Sequence, residues 1–346
     1  SQVRGRFDQL QLMDRLERRN SLSVEFPEIG LGPLFPFGVE LIDVRDNTRD
    51  YGLTKDALIV TQSYRPTTRF VVQLGGSVEL NDAEIFGLTK DATVAQYLQD
   101  NPAAAARLRV ADGKTYALAE RTSVTWDRRD NPFDATSGTF VFAGLEHVRA
   151  APRDDVTKLT SDFLRYSARV AGYVRLTKKG LALALSLRGG YNQQLVSGSE
   201  TYPDRLFYFG GADTIRGFVQ DSVIPQDLAE QIFDEQSRIG KAGSGITADN
   251  ALSPARVPIR GGNVLVNPRA EFRIPLTGVF QTTLFLDSGN LWVDPALVDL
   301  TKLRYAAGSG IRVTTPVGPL ALDFGFNLAR RYWEDPYAIH FSVGLF

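Results

Sequence analysis

The sequence predicts an all-β fold: a transmembrane antiparallel β-barrel of about fourteen strands with one long, inward-folded external loop. Three observations carry that expectation. Several runs alternate apolar and polar residues with a period of two, as strands with two unlike faces do. The polar faces of these runs carry long charged side chains beside Gly and Ser, as a water-filled interior would. The connections alternate short and long, which puts tight turns at one end of the strands and loops at the other. A soluble β-sandwich also alternates, but it explains neither the charged face nor the loop lengths.

Taken in order, residues 3–12 are a weakly patterned first strand, and residues 69–80 alternate cleanly. Residues 91–109 have a helix-compatible composition broken at Pro102 and are expected as a long external loop with a short helix. Over residues 164–176 the even positions are largely apolar, while Arg165, Arg169 and Arg175 share the opposite face, which Arg188 extends in the next strand. That strand sets Leu181, Leu183, Leu185 and Leu187 against Ala182, Ala184 and Ser186. Residues 193–262 are the long external loop, and residues 263–274 return to alternation. In residues 320–328, Leu320, Leu322, Phe324, Phe326 and Leu328 oppose Ala321, Asp323, Gly325 and Asn327. The connections at 178–180, 276–281 and 315–318 are short; those at 149–161 and 293–303 are longer.

The final strand, residues 339–346, aligns Ile339, Phe341, Val343 and Leu345 on one face and ends in the aromatic Phe346. It is the expected C-terminal signal strand. Phe346 has the opposite parity, a register one residue off the commoner pattern, which a bulge near Gly344 would reconcile.

Composition bounds the function. The chain has 346 residues and a net charge of -1, so no bulk field points to nucleic acid. Cysteine is absent, which excludes disulfides and thiolate metal sites. The two histidines, His147 and His340, lie far apart in sequence and are expected as lumen or rim residues. No catalytic residue, metal site or cofactor is expected, and no run of about 18 apolar residues offers a membrane-spanning helix. Asp127, Arg128, Arg129 and Asp130 suggest a local charge network at a turn, and Tyr332 and Trp333 suggest interface aromatics.

The most informative segment runs from Gly210 through Arg216, Gly217 and Phe218. It lies in the long loop, and two later strands present Glu271 and Asp287 on their polar faces. A guanidinium that forks onto inward carboxylates would pin the loop inside the barrel. Gly217 would permit close backbone approach, and Phe218 would wedge against the wall. A solvent-exposed loop arginine with two unrelated lumen acids is the plainer reading of the same residues.

Several motifs taken together resemble the BamA/TamA-type outer-membrane assembly-factor superfamily, whose relatives include the mitochondrial sorting barrel and two-partner-secretion transporters. Phe209-Gly210-Gly211 leading to Ile215-Arg216-Gly217-Phe218 is similar to the family's sixth external loop. Asn267-Pro268-Arg269-Ala270-Glu271-Phe272 resembles the following strand, and Phe285-Leu286-Asp287-Ser288-Gly289-Asn290-Leu291-Trp292 the next. Trp126 to Phe133 with Thr136-Ser137-Gly138, and Gly308 to Arg312 with Pro316 to Leu320, resemble a strand-to-turn segment and the penultimate hairpin. The resemblance covers most of the chain and is strongest after Tyr116.

It implies a barrel of about sixteen strands in a bacterial outer membrane; the first strands and the preceding periplasmic POTRA domains are not in this sequence, so either the chain is a fragment or this barrel is smaller. It also implies a non-enzymatic role. The chain would assemble or insert outer-membrane proteins, or translocate polypeptides, through a weak seam where a strand edge templates an incoming strand. A two-partner-secretion-type transporter or passive pore, and the barrel anchor of a patatin-like surface enzyme, are the alternatives. The implied partners are the lipid bilayer, client polypeptides and accessory lipoproteins or periplasmic proteins.

Overall fold

The computed structural model describes residues 2–5, 16–47, 51–85, 113–248, 251–254, 257, 260–315 and 318–343. Its strands are β1 (Gln2–Gly5), β2 (Leu16–Phe26), β3 (Phe37–Asn47), β4 (Tyr51–Thr67), β5 (Phe70–Ile85), β6 (Gly113–Asp127) and β7 (Gly138–Pro152). They continue with β8 (Ser161–Arg175), β9 (Ala182–Gln194), β10 (Val264–Pro275), β11 (Phe280–Trp292), β12 (Arg304–Thr315), β13 (Gly318–Asn327) and β14 (Tyr337–Val343). All fourteen belong to one sheet in simple sequence order, an antiparallel meander of the β-barrel class. No helix among the described residues is long and apolar enough to cross a membrane.

The two faces follow the alternation. On β13, Leu322 and Phe326 are about half exposed, whereas Ala321 and Asp323 are buried. On β9, Leu185 and Leu187 are exposed while Ala182 is buried. An apolar outer face without protein cover and a buried polar inner face is the inverse of a soluble strand, and it is what a lipid-facing wall requires.

The chain divides into two compact units, Ser1–Val124 with Gly144–Tyr166 and Asn192–Leu206, and Thr125–Ala143 with Ser167–Tyr191 and Phe207–Phe346. In the first, Ala119, Val148 and Phe163 pack on the inner face. In the second, Phe207, Phe209, Ile215, Phe218 and Val223 of the long loop pack on Leu265, Leu291 and Ala306 of the strands. That apolar cluster seats the loop against the inner face.

Some expectations fall differently. Of the weak first run, β1 covers the described residues, and residues 6–15, 86–112 and 344–346 lie outside the described set. The helix expected within residues 91–109, and Leu345 and Phe346 of the signal strand, therefore fall outside it. The long loop covers residues 195–263 and contains an unanticipated helix, α1 (Gln226–Arg238). Its Ala229 and Ile232 pack with Ile224, Leu252 and Val257.

The alternation of loop lengths also fails at residues 128–137, on the turn end. There Asp130 organises a wide turn by accepting from the amides of Asn131, Thr136 and Ser137 and from the Thr136 hydroxyl at 2.6 Å. Arg175 also donates to Asp130, at 3.1 Å, and Arg129 forks onto Asp127. Arg128 instead lies 5.5 Å over the Trp126 ring, outside those bonds.

Candidate functional site: a loop tip pinned to the inner face

Alternation puts Glu271 of β10, Asp287 of β11, Arg312 of β12 and Asp323 of β13 on one face of four consecutive strands. The loop tip descends onto them. Arg216 is 1% exposed, so its charge needs partners on every side. Its Nε donates to Asp287 Oδ2 at 2.7 Å and its Nη2 to Asp287 Oδ1 at 2.8 Å, a two-pronged fork. Nη1 donates to Glu271 Oε2 at 2.6 Å, and the backbone N–H of Arg216 adds a bond to Asp287 at 3.1 Å. The guanidinium carbon sits 3.5 Å from the centre of the Phe285 ring, so one planar face of the cation is covered by an aromatic.

Close approach requires small residues. A Cβ on Gly217 would fall 2.6 Å from the Ala306 Cβ and 2.7 Å from the Phe326 carbonyl. One on Gly325 of β13 would fall 2.3 Å from the Arg216 carbonyl. Loop and strand thus meet backbone to backbone, glycine on both sides. Phe218 is buried beside them, with the Arg304 guanidinium 5.5 Å over its ring.

Around this core the structure gathers residues to which the sequence alone assigns no part in the lock. Arg269 donates to Asp287 at 3.2 Å and to the carbonyls of Ala212 and Asp213, tying the strand to the loop a second time. Arg273 and Arg312 donate to Glu271 at 3.0 and 2.9 Å. Asp323 stands 3.7 Å from Arg216 and 3.6 Å from Arg312. Four guanidiniums, Arg216, Arg269, Arg273 and Arg312, therefore share three carboxylates, Glu271, Asp287 and Asp323. His340 of β14 also belongs here: its Nε2 donates to the Arg216 carbonyl at 3.1 Å.

A second buried charge cluster lies in the first unit, at the start of the same loop. Arg205, in the short 3-10 turn Pro203–Arg205, donates to Glu79 at 2.7 Å and to Glu146 at 3.2 Å. Lys55 reaches Glu79 at 3.0 Å and pairs with Asp204; Arg121 bonds both Glu79 and Glu146. Glu79 lies at the end of the alternating run at residues 69–80, but nothing in the sequence links it to position 205.

The remaining expected residues scatter. Arg165 donates to the Arg205 carbonyl, and Arg175 to the Asp130 turn. Arg169 lies 5.8 Å over Phe140, and Arg188 is exposed. His147 sits between Glu120 and Asp162 at 3.3 and 2.9 Å. Tyr332 and Trp333 pack on the long loop: Trp333 lies 5.0 Å from Phe233 of α1, and the Tyr332 hydroxyl donates to Gln236. No group of three potential metal ligands occurs among the described residues.

A sheet of β-barrel class, apolar outside and charged inside, with a long loop pinned to its inner face by an arginine fork defines a class of outer-membrane barrel. The Omp85 superfamily domain matches residues 17–346, and the chain belongs to that superfamily of outer-membrane β-barrels.

Its fold is similar to BamA from Haemophilus ducreyi lacking POTRA domains 1-3, with a TM-score of 0.67 at 15% identity, over 94% of this chain and 62% of that one. CdiB from Acinetobacter baumannii follows at 0.53 and 13% identity, over 95% and 50% of the two chains. CdiB from Escherichia coli aligns at 0.52 and 12%, over 96% and 54%. In sequence, residues amounting to 41% of the chain are 28% identical to outer envelope protein 80, chloroplastic, of Arabidopsis thaliana, of which they span 15%. The chain thus covers less than two thirds of the length of each of these relatives.

Proposed function

We propose that this chain is the barrel domain of a protein that inserts polypeptides into, or moves them across, a bacterial outer membrane. The observation that carries the proposal is the pinned loop tip, Arg216 on Asp287 and Glu271 with Gly217 against Gly325's strand. A loop held at this depth occupies the interior that a passive pore would leave open. It also ties β10, β11 and β13 to one another beside the terminal strand β14, whose other edge has no partner in the described sheet. An accessible edge can template an incoming strand through main-chain hydrogen bonds.

Glu271 and Asp287 are committed to the arginines of this cluster, and Asp323 stands within 3.7 Å of two of them. That supports a holding role over proton transfer or substrate hydrolysis, and a non-enzymatic reading with no cofactor. The implied partners are the bilayer and unfolded client polypeptides. The similarity to CdiB favours polypeptide translocation as the second reading.

The test is reconstitution into liposomes followed by addition of an unfolded outer-membrane barrel, with protease-protected client as the readout. Faster client folding than in liposomes holding an unrelated barrel, lost on Arg216→Ala, is expected. Equal rates for this chain and the unrelated barrel would overturn the insertion reading.

A further inference from the structure

The connection between β2 and β3, residues 27–36, is unlike a water-facing turn. Its Ile29, Leu31 and Leu34 are exposed, Leu31 by 60%. Gly30 and Gly32 both take φ of +89°, the left-handed region that glycine tolerates, and they flank Leu31 so that its side chain projects outward. The Phe35 amide donates to the Gly32 carbonyl at 3.1 Å, closing a turn around Pro33. The loop is also anchored: Ser63 and Arg65 of β4 donate to the Pro36 and Leu34 carbonyls at 3.0 and 2.9 Å. Its apolar side chains are thus held in the open by ordered backbone.

These residues continue the outward wall. Leu22, Val24 and Phe26 of β2 face outward, and Leu22 registers with Leu41 of β3 and Leu58 of β4. Phe26 lies 6.3 Å from Phe37, and Phe35 of the loop stacks on Tyr64 of β4 at 4.9 Å. These ring contacts carry the apolar wall from the strand ends into the loop.

The wall is short on these strands. Above Leu22 the outward row turns polar at once: Asn20 registers with Asp43, and Asp43 with Asp56. From Leu22 to Phe26 is about 13 Å at roughly 3.3 Å per residue, against the ~25 Å apolar band of such barrels. The loop adds apolar surface at the opposite end, beyond Phe26 and Phe37.

We propose that residues 27–36 form a hydrophobic foot seated in the leaflet of the bilayer at the turn end of the barrel, with Ile29, Leu31 and Leu34 among the lipid chains. The occupant of this surface is lipid, because the surface is continuous with the lipid-facing wall and makes good its missing height. Arg69, exposed in the adjoining β4–β5 turn, lies where phosphate headgroups would be. Glu28 is exposed in the loop, and Glu25 lies 3.6 Å from Arg65; these carboxylates stay on the water side.

The absence of cysteine makes the test direct, since each introduced thiol is unique. Ile29→Cys, Leu31→Cys and Leu34→Cys are each labelled with an environment-sensitive fluorophore and reconstituted in vesicles of phosphatidylethanolamine and phosphatidylglycerol. Leu322→Cys on the lipid wall and Val156→Cys on an exposed loop set the two limits. The expected result is blue-shifted emission at the loop positions, quenching by nitroxide-bearing lipids and loss of quenching by iodide. Nitroxides near the headgroup should quench more than nitroxides at the chain end. Emission and iodide quenching like Val156→Cys would overturn the proposal. Shielding from both iodide and lipid nitroxides would also overturn it, since the cover would then be protein.

Discussion

Arg216 is where a single side chain carries most of the consequence. Its guanidinium is buried, forked onto Asp287, bonded to Glu271 and stacked on Phe285, so truncation leaves three carboxylates facing three cations that already have other partners. Removing one member of a buried ion set costs about 3–5 kcal/mol. Arg216→Ala should lower unfolding stability in detergent by that order, while Arg216→Lys, which cannot fork, should recover only part of it. An unchanged transition for Arg216→Ala would count against the pinned loop. Gly325→Ala is expected to mimic the loss by steric means, because its Cβ would fall 2.3 Å from the Arg216 carbonyl.

The residue scale is also where the sequence is only partly legible. Parity alone placed Glu271 and Asp287 on polar faces, and the glycines beside Arg216 hinted at close approach. Asp323 and Arg312 sit in equally regular runs, but nothing local says that these strands flank the loop tip rather than open water. His340 donates through its ring to a main-chain carbonyl, a bond with no sequence signature. The Arg205 cluster depends on contacts across 126 positions to Glu79 and is likewise invisible before the chain is folded.

At the scale of elements, the strands divide by face and the turns by the side chains that organise them. Placing Arg at Leu322 puts a charge on the lipid face of β13 and should cost roughly 2–4 kcal/mol if that position is near the bilayer midplane. The same change at Asp323 would act on the charge cluster instead. Unfolding of both variants in lipid and in detergent separates the two, since only the Leu322→Arg penalty should depend on the lipid phase.

The wide turn at residues 128–137 has its own signature in pH. Burial pulls the Asp130 carboxyl upward, but hydrogen bonds from the Thr136 hydroxyl and from the Ser137, Thr136 and Asn131 amides outweigh it and hold it below the usual carboxylate range. A carboxyl depressed in the folded state adds stability above its unfolded value, about 3.9, and loses it as pH falls through the folded value. Amide exchange at Thr136 and Ser137 should therefore stay protected at neutral pH and through about pH 5, then open at strongly acid pH. Asp130→Asn should remove that protection at neutral pH; protection retained in that variant would contradict this role for the carboxylate.

On the scale of the whole molecule, the fold was the most legible part, because each strand writes its two faces into alternate positions. What the sequence could not give was the path of the long loop. Helix α1 lies among polar residues, and its buried face is only Gln226, Asp227, Ala229 and Ile232, too thin a stripe to stand out. The wide turn at 128–137 broke the rule of short turns because Asp130 supplies bonds that a tight hairpin would have made with backbone. The contact of Trp333 with Phe233 was equally hidden, because its partner lies a hundred positions upstream.

Above all, direct contact between Arg216 and Asp287 holds the long loop in place. A double-mutant cycle measures that contact: Arg216→Ala, Asp287→Ala and the pair, each unfolded by denaturant in the same detergent. Residues joined in one ion network show coupling on the order of 0.5–3 kcal/mol, so the double variant should lose clearly less than the sum of the two single losses. Strict additivity would mean that the two side chains do not meet, and the pinned loop would have to be abandoned.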